Sequence, residues 1–238
     1  MRTRTIRWFA ALLAVAAFLP ACSKKVPARG SDEWKRQLQA GEVFIETSTV
    51  PGTDLKLGSA TGLVDAPIDI VWELFKDASQ WSQFLWNMKE SREYPPNGEN
   101  RIMEVVIEPP DVAVGFNDIR FKAEISETIN YETGIWRADY NAIEGNIRRV
   151  YGAWQLESFG PDKTLITFSS FNDFGYPAAL NAGVNYFTEM FLDQWSHDIR
   201  ERLKDPAVRQ DLEQRAMARR KRSFDSGPAV QNVDDFVR

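Results

Sequence analysis

The chain has 238 residues, 43% of them hydrophobic and 26% charged, which suits a folded core and excludes wholesale disorder. A formal net charge of −5 excludes a general nucleic-acid binder, which needs a basic face to meet phosphate. One cysteine and one histidine exclude an internal disulfide and a multi-histidine metal site.

Arg2, Arg4 and Arg7 open the chain, and residues 8–19 (WFAALLAVAAFL) form an apolar run. The run is too short to span a bilayer core, which needs about 20 residues, and suits a secretory signal over residues 1–21. Leu19-Pro20-Ala21-Cys22 follows it and resembles the lipobox of bacterial lipoproteins. That resemblance implies cleavage before Cys22, lipid attachment there, and export to the periplasmic side of the envelope. Ser23 after the cysteine implies the outer membrane. A soluble exported protein cut elsewhere, or an uncleaved signal anchor, is the alternative.

Residues 22–42 form the lipidated terminus and a polar tether (SKKVPARGSDE), with a brief helix expected over 34–42. A β-rich stretch covers 43–50. Ile68, Val71, Trp72 and Phe75 fall on helical spacing behind Asp65-Ala66-Pro67, and SQWSQFLWN continues as a second short helix. Alternation then marks strands in RIMEVVIE, IRFKAEISE, GIWRADYNA, RVYGAWQLES and TLITFSSFND, broken in the first by Ile102 and Val106 and blurred in the last by apolar residues on both faces. In the second of these, Ile119, Phe121, Ala123 and Ile125 share one face, opposite Arg120, Lys122, Glu124 and Ser126. Short connections such as Gly160-Pro161-Asp162-Lys163 imply an antiparallel meander. After Pro177, Val184, Phe187, Phe191, Trp195 and Ile199 form a helical stripe about 22 Å long. Asp205-Pro206 ends or kinks that helix. Residues 205–238 read as a polar helical and flexible tail, with Arg215, Arg219, Arg220, Lys221 and Arg222 on a solvated helix end or drawn to anionic lipid.

Gly152-x-Trp154-x-Leu156, the Thr164-led strand, Asp173-Phe174-Gly175-Tyr176-Pro177 and Asn181 resemble the START superfamily of helix-grip proteins, which includes polyketide cyclases and aromatases. The likeness covers roughly residues 55–204, within a ligand-binding domain drawn at 43–204. It implies an α+β fold: a curved antiparallel sheet wrapped around a long C-terminal helix, with an apolar cavity between them. It also implies a lipid or other apolar small molecule as partner, beside the membrane to which the anchor holds the chain, and no cofactor. The expected cavity residues are Phe121, Trp136, Tyr140, Trp154, Phe187, Phe191 and Trp195. Val114 and Phe116, in the apolar loop EPPDVAVGFND, and Tyr176 would gate it. Any one of these rings serves a packed core equally well.

Catalytic chemistry is thinly represented. Ser196, His197 and Asp198 are consecutive on a helix, so they point in different directions and form no triad. There is no phosphate-binding glycine loop, zinc spacing or nucleophile elbow. Glu104, Glu108, Glu144, Arg148 and Arg149 are expected on a solvated strand face, the alternative being that one enters the pocket and fixes a ligand's polar head; Asn172 and Asp173 are expected in turn and helix-start roles, with ligand contact as their alternative. Three functions stay open: apolar-ligand binding for transfer or sensing, a cyclase-like enzyme, and an interaction module with a closed core.

Overall fold

The computed structural model describes residues 26–109 and 117–225. Residues 1–21, read above as an expected signal, and Cys22, Val114, Phe116 and the acidic terminus lie outside them.

Helix α1 spans Asp32–Gln39. Ser31 caps it, its hydroxyl accepting from the Trp34 amide at 3.2 Å, and acidic Asp32 and Glu33 suit the positive end of the helix dipole. Strands β1 (Phe44–Thr49) and β2 (Lys56–Val64) follow, then α2 (Ile68–Lys76) and a 3₁₀ helix over Ala78–Gln83. The meander is β3 (Met88–Asn97), β4 (Asn100–Ile107), β5 (Ile119–Asn130), β6 (Ile135–Gly145), β7 (Arg149–Ser158) and β8 (Thr164–Asp173). A 3₁₀ turn at Ala178–Leu180 leads into α3 (Asn181–Lys204), and α4 covers Pro206–Asp225.

The eight strands make one antiparallel sheet in the order β1-β2-β8-β7-β6-β5-β4-β3. Its inner face carries Val105, Phe121, Ile125, Tyr140, Trp154 and Phe168, all buried. Helix α3 lies against that face at β2 and β8. Val184, Phe187, Phe191, Trp195 and Ile199 are buried as their spacing predicts, with Thr188, Leu192, Ser196 and Leu203 on the flank. Close approach depends on small residues in β2. A Cβ on Gly58 would stand 2.7 Å from Leu192 Cδ1. On the outer face α1 seals a separate small core of Trp34, Leu38, Phe44, Leu63 and Leu165.

Strands β2 and β3 are not marked by alternation. KLGSATGLV is made largely of small residues chosen for helix contact, which blurs its period. Strand β3 carries Pro95 and Pro96, and it is the sheet edge, where the missing amide donors are tolerated.

The C-terminal segment differs from the solvated tail expected. Asp205 ends α3 and caps α4, its Oδ1 accepting the Ala207 amide at 2.9 Å, with Pro206 in the first helical position where its missing N–H costs nothing. Helix α4 then packs on α2, burying Leu212 and Ala216. Its arginines meet a row of acids one helical turn apart, Asp69 and Glu73 on α2 and Asp77 at its C-terminal cap. Arg220 pairs with Asp69, Arg219 Nε donates to Glu73 at 2.6 Å, and Arg215 donates to Asp77 at 2.7 Å. The Arg219 guanidinium also stands 4.7 Å from the centre of the Trp136 ring. These three arginines are committed to the fold.

Candidate functional site: an apolar cavity with a neutral polar seam

Between α3 and the sheet lies a cavity of about 50 Å³. Inner-face residues form one wall, with Met103, Val105 and Ile107 from β4, Phe121 from β5, Tyr140 from β6, Val150 and Trp154 from β7, and Phe168, Ser170 and Asn172 from β8. Phe191 and Trp195 of α3 form the second wall. Phe75 of α2, Trp81, and the segment carrying Phe84, Leu85 and Met88 close it.

The rings pack on one another as well as on the space. Trp195 stacks on Phe168 at 4.4 Å and on Phe75 at 5.3 Å. Phe75 stacks on Trp154 at 5.6 Å, and Trp154 on Tyr140 at 5.8 Å. Phe121, Tyr140, Trp154, Phe191 and Trp195 thus come together on the lining. Phe187 stands one turn along α3, between Phe191 at 6.0 Å and Phe174 at 5.9 Å. Half-buried Tyr176 meets Phe174 edge-on, so a file of rings runs from Tyr176 to the cavity wall. Trp136 is not on the lining. It is buried at the far end of β6 against Trp72 of α2 and under Arg219, because the cavity occupies only the Tyr140 end of that strand.

Three polar groups break the apolar lining, and all are neutral. The Tyr140 hydroxyl donates to Ser170 Oγ at 2.8 Å. Ser170 donates to Asn172 Oδ1 at 3.1 Å, and Asn172 Nδ2 donates to Thr188 Oγ1 at 3.0 Å. Thr188 donates to the Val184 carbonyl of α3 at 2.9 Å. Register explains the first step. Tyr140, Gly152 and Ser170 face one another across three strands, and the missing side chain of Gly152 lets the phenol lie across β7. A Cβ there would collide with the Tyr140 hydroxyl and the Ser169 carbonyl. Burial pushes the Tyr140 phenol well above its ordinary range, outweighing the opposing pull of the Ser170 hydrogen bond, so it stays protonated and uncharged.

The charged residues singled out in the sequence stay off the lining. Glu104 accepts from Tyr94, Glu144 pairs with Lys122, Glu108 with Lys89, and Arg148 with Asp173. Arg149 lies over the Tyr151 ring. His197 is exposed, and Ser196 donates to the Leu192 carbonyl within α3. Asp198 has a different task. Its carboxylate accepts the Trp86 backbone amide at 2.6 Å, and with Arg202, which donates to Gln83 and covers the Phe84 ring, it pins the segment before β3 to α3. No cluster of three metal-binding side chains occurs among the described residues.

Sequence reading missed Phe75, Trp81, Phe168 and the Ser170–Asn172–Thr188 chain. A signal for the seam existed: Ile166, Phe168, Ser170 and Asn172 share one face of β8, so two polar side chains continue an inward apolar row. Asn172 belongs to that seam in addition to standing beside the turn.

The profile of the family described as polyketide cyclase / dehydrase and lipid transport matches residues 64–193. The chain belongs to that family. The match takes in every cavity-lining residue of the sheet and stops before Trp195, so the end of α3 and all of α4 lie beyond it. No curated protein matches the sequence. Among solved structures, a STAR-related lipid transfer protein fragment from Xanthomonas axonopodis aligns with TM-score 0.57 at 14% identity, covering 68% of this chain and 94% of the other. Human StAR-related lipid transfer protein 5 gives 0.57 at 14%, covering 68% and 81%. A START superfamily protein from Mycobacterium smegmatis gives 0.51 at 13%, covering 62% and 97%. At such identities the likeness is one of fold, and it is the family's helix-grip fold: a curved antiparallel sheet closed by a long C-terminal helix.

Proposed function

We propose that this chain binds a lipid or other apolar small molecule between α3 and the sheet, and holds it for transfer or sensing. The observation that carries this reading is a lining of apolar and aromatic residues interrupted by a single neutral polar seam, which is how small-molecule sites are built. The family's description includes lipid transport, which agrees with it. The pocket as it stands, about 50 Å³, is well below the ~300–1,000 Å³ of such sites, so binding requires the walls to part. Met88 and Met103 are the yielding side chains of the lining, and the pinned segment carrying Phe84, Leu85 and Met88 is the part to swing out.

The small volume favours a second reading, an interaction module whose core stays shut. A cyclase-like reaction is the weaker alternative. It needs a proton-transfer pair, and Tyr140 is the single titratable side chain on the described lining. Native mass spectrometry of the purified chain, with organic extraction of whatever it carries, separates the first two. Lipid released from the folded protein supports the binding reading. A protein that stays empty with every lipid extract offered supports the closed module.

The proposed setting is the periplasmic side of the envelope, with Cys22 acylated and the domain held beside the membrane in which such ligands reside. Two or three acyl chains make a stable anchor. Cys22→Ser is expected to release the protein from the membrane fraction, and full membrane retention would overturn the assignment.

A further inference from the structure

Helix α2 passes into the segment that closes the cavity through a single residue. Asp77 is the C-cap of α2, with non-helical backbone (φ −99°, ψ 72°), and the 3₁₀ helix Ala78–Gln83 starts directly after it. The bend stands between two rings of the cavity wall, Phe75 before it and Trp81 after it. Its carboxylate accepts from Ser79 Oγ at 2.6 Å, Gln80 Nε2 at 2.7 Å and Arg215 Nη1 at 2.7 Å. Ser79 and Gln80 fold the segment onto its own start. Arg215 comes from α4, where its Nη2 also stands 2.7 Å from Asp211, one turn earlier.

Apolar packing does little of this holding. Among the described residues, the apolar side chains that α4 buries are Leu212 and Ala216. A groove of about 250 Å³ opens between α4 and the bend, lined by Leu74, Gln80, Val208 and Leu212 together with both members of the Arg215–Asp77 pair. An element with few buried apolar contacts opens at lower free energy than the sheet it rests on. Helix α4 also lies beyond the residues that the family profile matches.

Resting on the binding reading above, we propose that α4 is a latch on the cavity: Arg215 holds the Asp77 hinge, and the wall formed by Phe75, Trp81 and the segment up to Met88 parts when α4 loosens. The contact of Asp198 with the Trp86 amide holds the opposite end of the same segment, so a different helix secures each end.

The test compares the full wild-type chain with Arg215→Gln, which removes the charge, and Arg215→Lys, which keeps it. Hydrogen exchange read by mass spectrometry follows residues 68–88, α4 and the β7–β8 pair. Stopped-flow fluorescence follows uptake of N-phenyl-1-naphthylamine, an uncharged apolar probe. Arg215→Gln is expected to speed exchange about 10-fold in both α4 and residues 68–88, to leave β7–β8 unchanged, and to speed uptake by a similar factor. Arg215→Lys is expected to recover most of the difference. Raising salt from about 0.05 to about 0.5 M is expected to speed uptake by the wild-type chain, because screening reaches a partly exposed pair. Faster exchange in α4 with residues 68–88 still protected, or in neither, would overturn the latch and leave apolar binding intact. Faster exchange in both without faster uptake would do the same. A chain that takes up no probe under any condition would bring down the binding reading, and the latch with it. If Arg215→Gln fails to fold, the wild-type salt series decides, and uptake unchanged by salt overturns the latch.

Discussion

Gly152 occupies a position where a single methyl group would be felt twice. Its Cβ would meet both the Tyr140 hydroxyl and the Ser169 carbonyl, one a movable ring and the other fixed sheet backbone. Gly152→Ala is expected to cost about 1–3 kcal/mol in denaturant unfolding through overpacking. Tyr140→Phe keeps the ring and removes the 2.8 Å bond to Ser170, so a loss of about 0.5–1.5 kcal/mol is expected. If Gly152 matters only through Tyr140, adding Tyr140→Ala to Gly152→Ala relieves part of the cost, and a double-mutant cycle reads the coupling. At this scale the sequence identified five of the seven expected lining rings, because alternation and helical spacing fix which way a side chain points. It placed Trp136 and Phe187 on the lining, where neither stands, because spacing along a strand or a helix does not say where along its length a cavity ends.

Two elements are held by charge in a way that their own sequences conceal. Asp69, Glu73 and Asp77 are spaced one turn apart along α2 and its cap, and the α4 arginines look like a solvated or lipid-seeking run. Together they make a partly buried helix–helix seam. Arg219 and Glu73 have side-chain exposures of 15% and 11%, so Arg219→Ala leaves a carboxylate without its partner and is expected to cost about 3–5 kcal/mol. Replacing both, Arg219→Met with Glu73→Gln, is expected to cost much less, which thermal unfolding checks. Asp77 adds a pH dependence. Burial raises its carboxyl, but hydrogen bonds from Arg215, Ser79 and Gln80 and the Arg215 charge outweigh this and hold it below the usual value of 3.8. Its contribution is therefore present above that value and is lost as pH falls through the lower folded one. Acid titration of Asp77→Asn is expected to show a shallower stability loss below about pH 4 than the parent chain. The segment before β3 is the other element held by charge. Asp198→Ala removes its bond to the Trp86 amide, worth about 1.5–3 kcal/mol, and faster ligand uptake is expected in stopped-flow tryptophan fluorescence. An unchanged rate would mean that the walls part elsewhere.

For the molecule as a whole, the sequence by itself determined the class of fold. Period-two alternation requires strands with one dry face, short turns require antiparallel neighbours, and an aromatic stripe on a long helix requires a sheet to bury it. It also carried the anchor reading at Cys22, which belongs to targeting and not to folding. Tertiary structure alone decided the rest. It paired β2 and β3 into the sheet although neither alternates, since packing against α3 and an edge position override local propensity. It tied Arg215, Arg219 and Arg220 to acids at the other end of the domain, because ion pairing depends on a partner more than a hundred residues away. It set the cavity at about 50 Å³, because volume follows from how rings from seven elements interlock and not from any one stretch.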